Sequence, residues 1–154
     1  MRVEIVTKCF SPEIELANFS RSSAVGAVAS FTGYCRDEAG AVDRLELEHY
    51  PGFTEALASQ LAASVAERHS LIDGLVIHRV GAIPAGEPIV LVAASSAHRA
   101  AALAAINELM DYLKSEAPIW KKEIGAHGDF WVEPTVQDYR AAAGWRRVQK
   151  EESI

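Results

Sequence analysis

Residues Pro88–Glu123 read PIVLVAASSAHRAAALAAINELMDYLKSEAPIWKKE. The first seven, PIVLVAA, are apolar at every position, so neither face of this segment is meant for water. That pattern predicts a central strand. Ser95 or Ser96 then supplies a helix cap. Ala100, Leu103, Ile106, Met110, Leu113 and Ala117 recur at helical spacing and predict one long helix with a single buried stripe. Pro118 ends it. A central strand feeding directly into a long amphipathic helix decides the fold class, and the remaining segments arrange themselves around this pair.

Upstream, Arg2–Lys8 (RVEIVTK) alternates as an edge strand. Ser11 and Pro12 form a cap and first position for a short helix to about Phe19. The segment 24–34 (AVGAVASFTGY) is a strand of small residues in which Gly26 and Gly33 allow close approach of another backbone or a ligand. The segment 36–42 is a polar turn. In LELEHY, residues 45–50, Leu45, Leu47 and His49 share one face. Thr54 is expected to cap a helix through about His69, with Leu57, Leu61 and Val65 as its stripe. LVIHRV, residues 75–80, is a strand, and GAIPAGE is a turn-rich link. Residues 130–132 form a short strand, and 136–148 a final helix. Strands and helices mix without strict βαβ alternation, which predicts an α+β fold. Residues 1–154 read as a single domain with a frayed tail at 149–154.

The composition narrows the function classes. A formal charge of -6 at pH 7 argues against a nucleic-acid surface. No apolar run reaches the ~18 residues of a membrane span. Met1 leads directly into RVEIVTKCF without an apolar core, so no signal peptide is expected. Two cysteines, Cys9 and Cys35, make no CxxC and no disulfide framework, which fits a reducing cytoplasm. The five histidines form no ligand-spaced cluster, so no metal site is expected. No GxSxG, P-loop or GxGxxG is present.

Against this acidic background, the stretch from Ser95 to Glu123 gathers His98, Arg99, Lys114, Lys121 and Lys122 among apolar residues. Such clustering marks a local anion site. His98 and Arg99 fall in the first turn of the long helix, where free N–H groups and the positive dipole end also point. Together they can hold a phosphate or carboxylate, although first-turn cations facing solvent would look the same. Lys114, at the edge of the stripe, reads either as a partly desolvated base or nucleophile or as a snorkelling lysine paired with Asp111. Lys121 and Lys122 follow a turn anchored by Trp120, and Arg36 sits where a strand meets a loop. Cys35 beside Arg36 reads either as a lowered-pKa thiol or as a small strand residue.

The ordered set GAVASFTGYCRD, LELEHYPGFTE, VIHRVG, GEPIVLVAASSAHR, MDYLKSEAPIWKKE and WVE, spanning about residues 24–133, resembles the family of large, catalytic subunits of molybdopterin synthase, the MoaE family. The resemblance implies an α/β-hammerhead-like α+β domain that dimerises. It implies a small ubiquitin-like partner whose C-terminal Gly-Gly carries a thiocarboxylate, the two forming a heterotetramer. It implies sulfur transfer to cyclic pyranopterin monophosphate, with no cofactor, no nucleic acid and no membrane. The implied catalytic residues are Lys114 and Lys121. The implied substrate contacts are Tyr34, Cys35, Arg36, His98, Arg99, Lys122 and Glu123. The family pattern often has a basic residue shortly after WVE, where this chain has Pro134 and Thr135. Other readings of the same cations are a non-catalytic module for a phosphorylated metabolite or a protein tail, and a structural homodimer. His98 and Lys114 lie sixteen residues apart on the expected helix, roughly 24 Å along its axis. If both serve one substrate, either a kink in the alanine-rich helix shortens the distance or two chains build the site, with Lys114, Lys121 and Arg36 from one and His98 and Arg99 from its twofold mate.

Overall fold

The structure, a computed structural model, describes residues 1–19 and 22–152, the side chains of 147–152 excepted. Its elements, in chain order, are β1 (Arg2–Val6), α1 (Pro12–Asn18), β2 (Ala27–Tyr34), β3 (Arg44–His49), α2 (Phe53–Arg68), β4 (Asp73–Arg79), β5 (Gly81–Pro84), β6 (Pro88–Ser96), α3 (Arg99–Ser115), β7 (Ile119–Gly125), β8 (Gly128–Val132) and α4 (Val136–Glu152). The strands form two four-stranded sheets, ordered β1-β4-β6-β2 and β5-β3-β7-β8. Among the described residues, only the β1–β4 pair is parallel. The architecture is α+β, as the unalternating order of elements predicts.

β6 is an interior strand of the first sheet, and its apolar run is covered on both faces. Val90, Val92 and Ala94 point towards α2 and α3, where they meet Val65, Ala105, Leu109 and Leu113. Leu91 and Ala93 point the other way with Leu75 and Ile77, under Phe10, Leu16 and Phe19 of the α1 region. A strand with no wet face has no alternative register that keeps both cores apolar, so α3 inherits a fixed starting point. At the edge, Gly26 lies against the Ala97 carbonyl, only 2.2 Å from where a Cβ would stand. This is the close approach that the small-residue strand anticipates.

Several local readings change. β6 runs through Ser96, so neither Ser95 nor Ser96 caps α3; the N-cap is His98. The buried face of α3 is Ala102, Ala105, Ile106, Glu108, Leu109, Tyr112 and Leu113, whereas Leu103 is 56% exposed. The run of alanines is apolar all round, so spacing alone could not fix the helix's rotation. Thr54 does not cap α2 either. Gly52 does, with the Glu55 carboxylate accepting its N–H at 2.6 Å. Thr54 is fully buried, and its hydroxyl donates to the Pro118 carbonyl at 3.2 Å. The buried face of α2 is Thr54, Ala58, Ala62 and Val65.

GAIPAGE is not merely a link, because Gly81–Pro84 is strand β5, paired with β3. The chain leaves one sheet at Arg79 and enters the other at Gly81, whose φ of 85° makes the corner. WKKE is not a turn but the middle of β7, flanked by β3 and β8. α4 continues to Glu152, past the end expected at Val148. Ser153 and Ile154, the end of the tail expected to fray, lie outside the described residues. Among the described residues no helix is long and apolar enough to cross a membrane.

Glu108 is the charge that periodicity could not reveal. It is fully buried on α3 and forms ion pairs with Arg68 and, at 2.7 Å, with His69 at the end of α2. The His69 ring in turn meets Trp145 of α4 edge to face. Two helices therefore meet at one carboxylate, and the third packs on its histidine partner. Removing one member of a buried ion cluster leaves an uncompensated charge. Glu108→Gln should therefore cost about 3 kcal/mol in urea unfolding at neutral pH.

His78 on β4 is held neutral. Burial pushes its imidazole down from an ordinary 6.5 to about 4, opposed by the bond to the Arg79 carbonyl and aided by the neighbouring His49. The unfolded chain then binds more protons than the folded one between pH 6.5 and about 4. This contribution is complete above pH 6.5 and is lost as pH falls through that window. Urea unfolding at pH 7 and pH 4.5 should show the fall, and the slope should flatten in His78→Gln.

Candidate active site

β7 sorts its own lysines. Successive strand residues face opposite sides of a sheet. Lys121 stands opposite Leu47 and Glu123 opposite Leu45, so both share the face that carries the buried Leu45 and Leu47. Lys121 Nζ and the Glu123 carboxylate are 2.9 Å apart. Lys122 points to the other face, where it pairs with Asp129 at 3.2 Å and lies over the Trp131 ring. The sequence grouped Lys122 with Lys121 and Glu123; the pleat separates it from them within the chain.

The same face of the second sheet covers the end of β2. Cys35 is buried with Leu45, Leu47 and Ile83. Its N–H donates to the Glu87 carbonyl at 2.9 Å, and its carbonyl accepts from the Gly86 N–H at 2.7 Å. Burial pushes its thiol up, with the Lys121 charge acting against that shift and Glu123 with it. Cys35 is thus a core residue and not an activated nucleophile. Pinning its backbone fixes its neighbours: Tyr34 is half exposed, and Arg36 extends into solvent beside Glu38. The Glu38 carboxylate raises the Arg36 guanidinium first and foremost, and Glu123 adds to it. Glu38 in turn is lowered by Arg36 and, more weakly, by Lys121. Tyr34, Cys35, Arg36, Lys121 and Glu123 therefore form one neighbourhood, to which Glu38 belongs.

The α3 residues sit at its two ends. His98 is the N-cap in extended conformation, and Arg99 is the first helical residue. Both are exposed, no side chain caps the helix, and its first turn holds no acidic residue. The amides and dipole of this end thus face outward with two cationic side chains beside them. Lys114 lies in the last turn, where the dipole favours a cation. Its side chain is 60% exposed, not desolvated. Its partner is Asp138 of α4, at 3.6 Å, and not Asp111, which instead accepts from the Trp145 indole at 2.7 Å. α3 is one unbroken helix of 17 residues, so His98 and Lys114 stay far apart within the chain. A cleft of about 110 Å³ beneath α1 contains none of these residues.

Asp138 and Glu38 were not anticipated. Asp138 could have been found: Thr135 and Asp138 have capping-box spacing. The Thr135 hydroxyl and N–H both donate to the Asp138 carboxylate, at 2.7 and 2.8 Å, and Asp138 N–H donates back to the hydroxyl. Those bonds, with a smaller effect from Lys114, hold the Asp138 carboxyl below its ordinary range. Among the described residues, no three His, Cys, Asp or Glu side chains gather as a metal site.

Comparison with known proteins places the chain in a family. The family model described as MoaE protein matches residues 5–116. The molybdopterin synthase catalytic subunit of Mesorhizobium japonicum is 52% identical over 147 residues, covering 94% of this chain and 92% of that one. The molybdopterin biosynthesis MoaE protein of Burkholderia ambifaria superposes with a TM-score of 0.78 at 41% identity, covering 93% of this chain and 96% of that chain. A chain in the complex of subunits 1 and 2 of molybdopterin-converting factor from Helicobacter pylori shares the fold at 17% identity, with a TM-score of 0.72 over 84% of this chain. The chain belongs to the MoaE protein family, whose curated members matched here are catalytic subunits of molybdopterin synthase.

Proposed function

We propose that this enzyme subunit receives the C-terminal Gly-Gly thiocarboxylate of a small ubiquitin-like subunit and passes its sulfur to cyclic pyranopterin monophosphate. Two rounds of transfer give the dithiolene of molybdopterin. Family membership supports the reaction, and the complex solved for the Helicobacter pylori relative supports a small-subunit partner. The observation that carries the residue roles is the placement of cations at both ends of an unbroken α3, one end beside α4 and the other free.

In this reading Lys114 and Lys121 neutralise the incoming thiocarboxylate, stabilise oxyanions and move protons at the reacting carbonyl. Glu123, 2.9 Å from Lys121, fixes that ammonium and accepts its proton's hydrogen bond. Arg36 and Tyr34, at the end of β2, face the pterin and its phosphate. With the sulfur arriving on the partner, no cysteine nucleophile is required, in keeping with a buried Cys35.

His98 and Arg99 serve the phosphate from a second copy. Sixteen residues of helix hold them roughly 24 Å from Lys114, beyond the reach of any side chain. A twofold axis near the middle of α3 would set His98 of one chain beside Lys114 of the other and make two equivalent sites. Exposed residues on that side of α3 support this arrangement. Ala100, Leu103 and Asn107 lie exposed along one line of α3, and Phe31 is 43% exposed on the adjoining β2, an edge strand. Lys122, on the far face of β7, then contacts substrate only if another chain brings the substrate there.

Assay of the protein with thiocarboxylated small subunit and pyranopterin, following product by mass spectrometry, tests the reading. Lys114→Ala should lower turnover by about 10²–10⁴ with the fold intact, and Lys121→Ala should be impaired too. Wild-type turnover in Lys114→Ala would remove the lysine-centred mechanism; a loss of affinity alone would make the chain a binding module. Lys114→Ala and His98→Ala chains, each inactive alone, should recover activity when mixed and allowed to exchange. No recovery in verified heterodimers would sink the two-chain site.

A further inference from the structure

α4 grips the last turn of α3 at three points. The Trp145 indole donates to Asp111, Arg146 pairs with Glu116, and the Asp138 carboxylate faces Lys114. The first two contacts clamp α4 in place, with Ala142 buried between them and Asp138. The third falls on the one exposed lysine of that turn. Asp138 is also the more fixed partner. Its side chain is 23% exposed against 60% for Lys114, and one carboxylate oxygen is already occupied by the Thr135 hydroxyl and N–H. The other oxygen faces the ammonium at 3.6 Å. The route of the chain adds a further link. Val132 of β8 pairs in register with Lys121, and six residues later Asp138 meets Lys114. One short segment thus connects the strand that carries one candidate catalytic lysine to the carboxylate that faces the other.

We propose that Asp138 is a positioning residue for Lys114: its carboxylate, locked by Thr135 at the start of α4, restricts an otherwise free lysine to one side of α3. This rests on the catalytic role of Lys114 proposed above. A lone exposed ion pair contributes little to stability. Its effect here is on direction. A long side chain at the helix surface samples many rotamers, and a fixed counter-charge narrows them. Reaction rates are sensitive to ångström-scale placement of a catalytic group.

Charge and cap can be separated by substitution. Asp138→Asn keeps an oxygen for the Thr135 N–H and hydroxyl but removes the charge. Thr135→Val removes the hydroxyl and leaves the carboxylate. With both substrates saturating, Asp138→Asn should lower kcat about tenfold. KM for each substrate should stay within about twofold. The melting temperature should stay within about 2 °C. Thr135→Val, in which the backbone N–H of position 135 still holds the Asp138 carboxylate, should lose more stability than Asp138→Asn yet keep kcat within about twofold. Asp138→Glu, with its charge retained, should recover most of the lost kcat. Wild-type kcat in Asp138→Asn would overturn the inference. So would losses of kcat that track the melting temperature through both variants, since capping alone would produce them. Lys114→Ala is assayed alongside. If it turns over normally, the reading of Lys114 has failed; if it is dead while Asp138→Asn is fully active, only the positioning role has.

Discussion

An unbroken helix holds His98 and Lys114 apart, and this separation governs everything else about the molecule. α3 has no proline or glycine within its 17 residues to bend it. Its buried side is packed against a strand that is itself covered on both faces. β6 cannot slip, because a one-residue shift would exchange the residues of two different cores. The helix therefore starts at a fixed place and carries its end to a fixed place. Any function that uses both ends must come from assembly, not from flexing within one chain.

The second sheet handles the remaining cations by the pleat. Lys121 and Glu123 fall on the face that covers Cys35, and Lys122 on the other. Thr54 ties the start of α2 to Pro118, the residue before β7, so the register that selects Lys121 is braced from the far side of the chain. Around Cys35 the electrostatics are those of a compact mixed cluster. Arg36, Lys121, Glu38 and Glu123 each alter another's proton affinity, while the thiol stays protonated by burial.

Stability and function also share α3. Its hidden side holds Glu108, which binds the end of α2 through Arg68 and His69. Its last turn is held by Trp145 and Arg146 of α4. Ala100, Leu103, Asn107 and Lys114 form an exposed line on its other side. The helix thus has one buried side and one exposed side. An exposed Leu103 in a helix whose other face is fully packed is therefore informative, where an isolated exposed leucine on a loop would not be.

By itself the sequence determined the central strand, the long helix, the α1 cap at Ser11 and the α+β class, because these depend on local periodicity and short-range chemistry. Its motif set also determined the family. It placed the candidate site residues in two segments, around Arg36 and from His98 to Glu123. Tertiary structure decided what those residues can do together. It rotated an alanine-rich helix that periodicity left free, turning Leu103 outward and Glu108 inward. It made WKKE a strand and thereby divided its lysines, which no pattern of three charges could show. It replaced Asp111 by Asp138 as the partner of Lys114, a contact across 24 residues of chain. The physical reason is common to all three. Spacing along a chain fixes which neighbours share a face, but only packing against distant segments fixes which face is turned to the core, to solvent or to a partner.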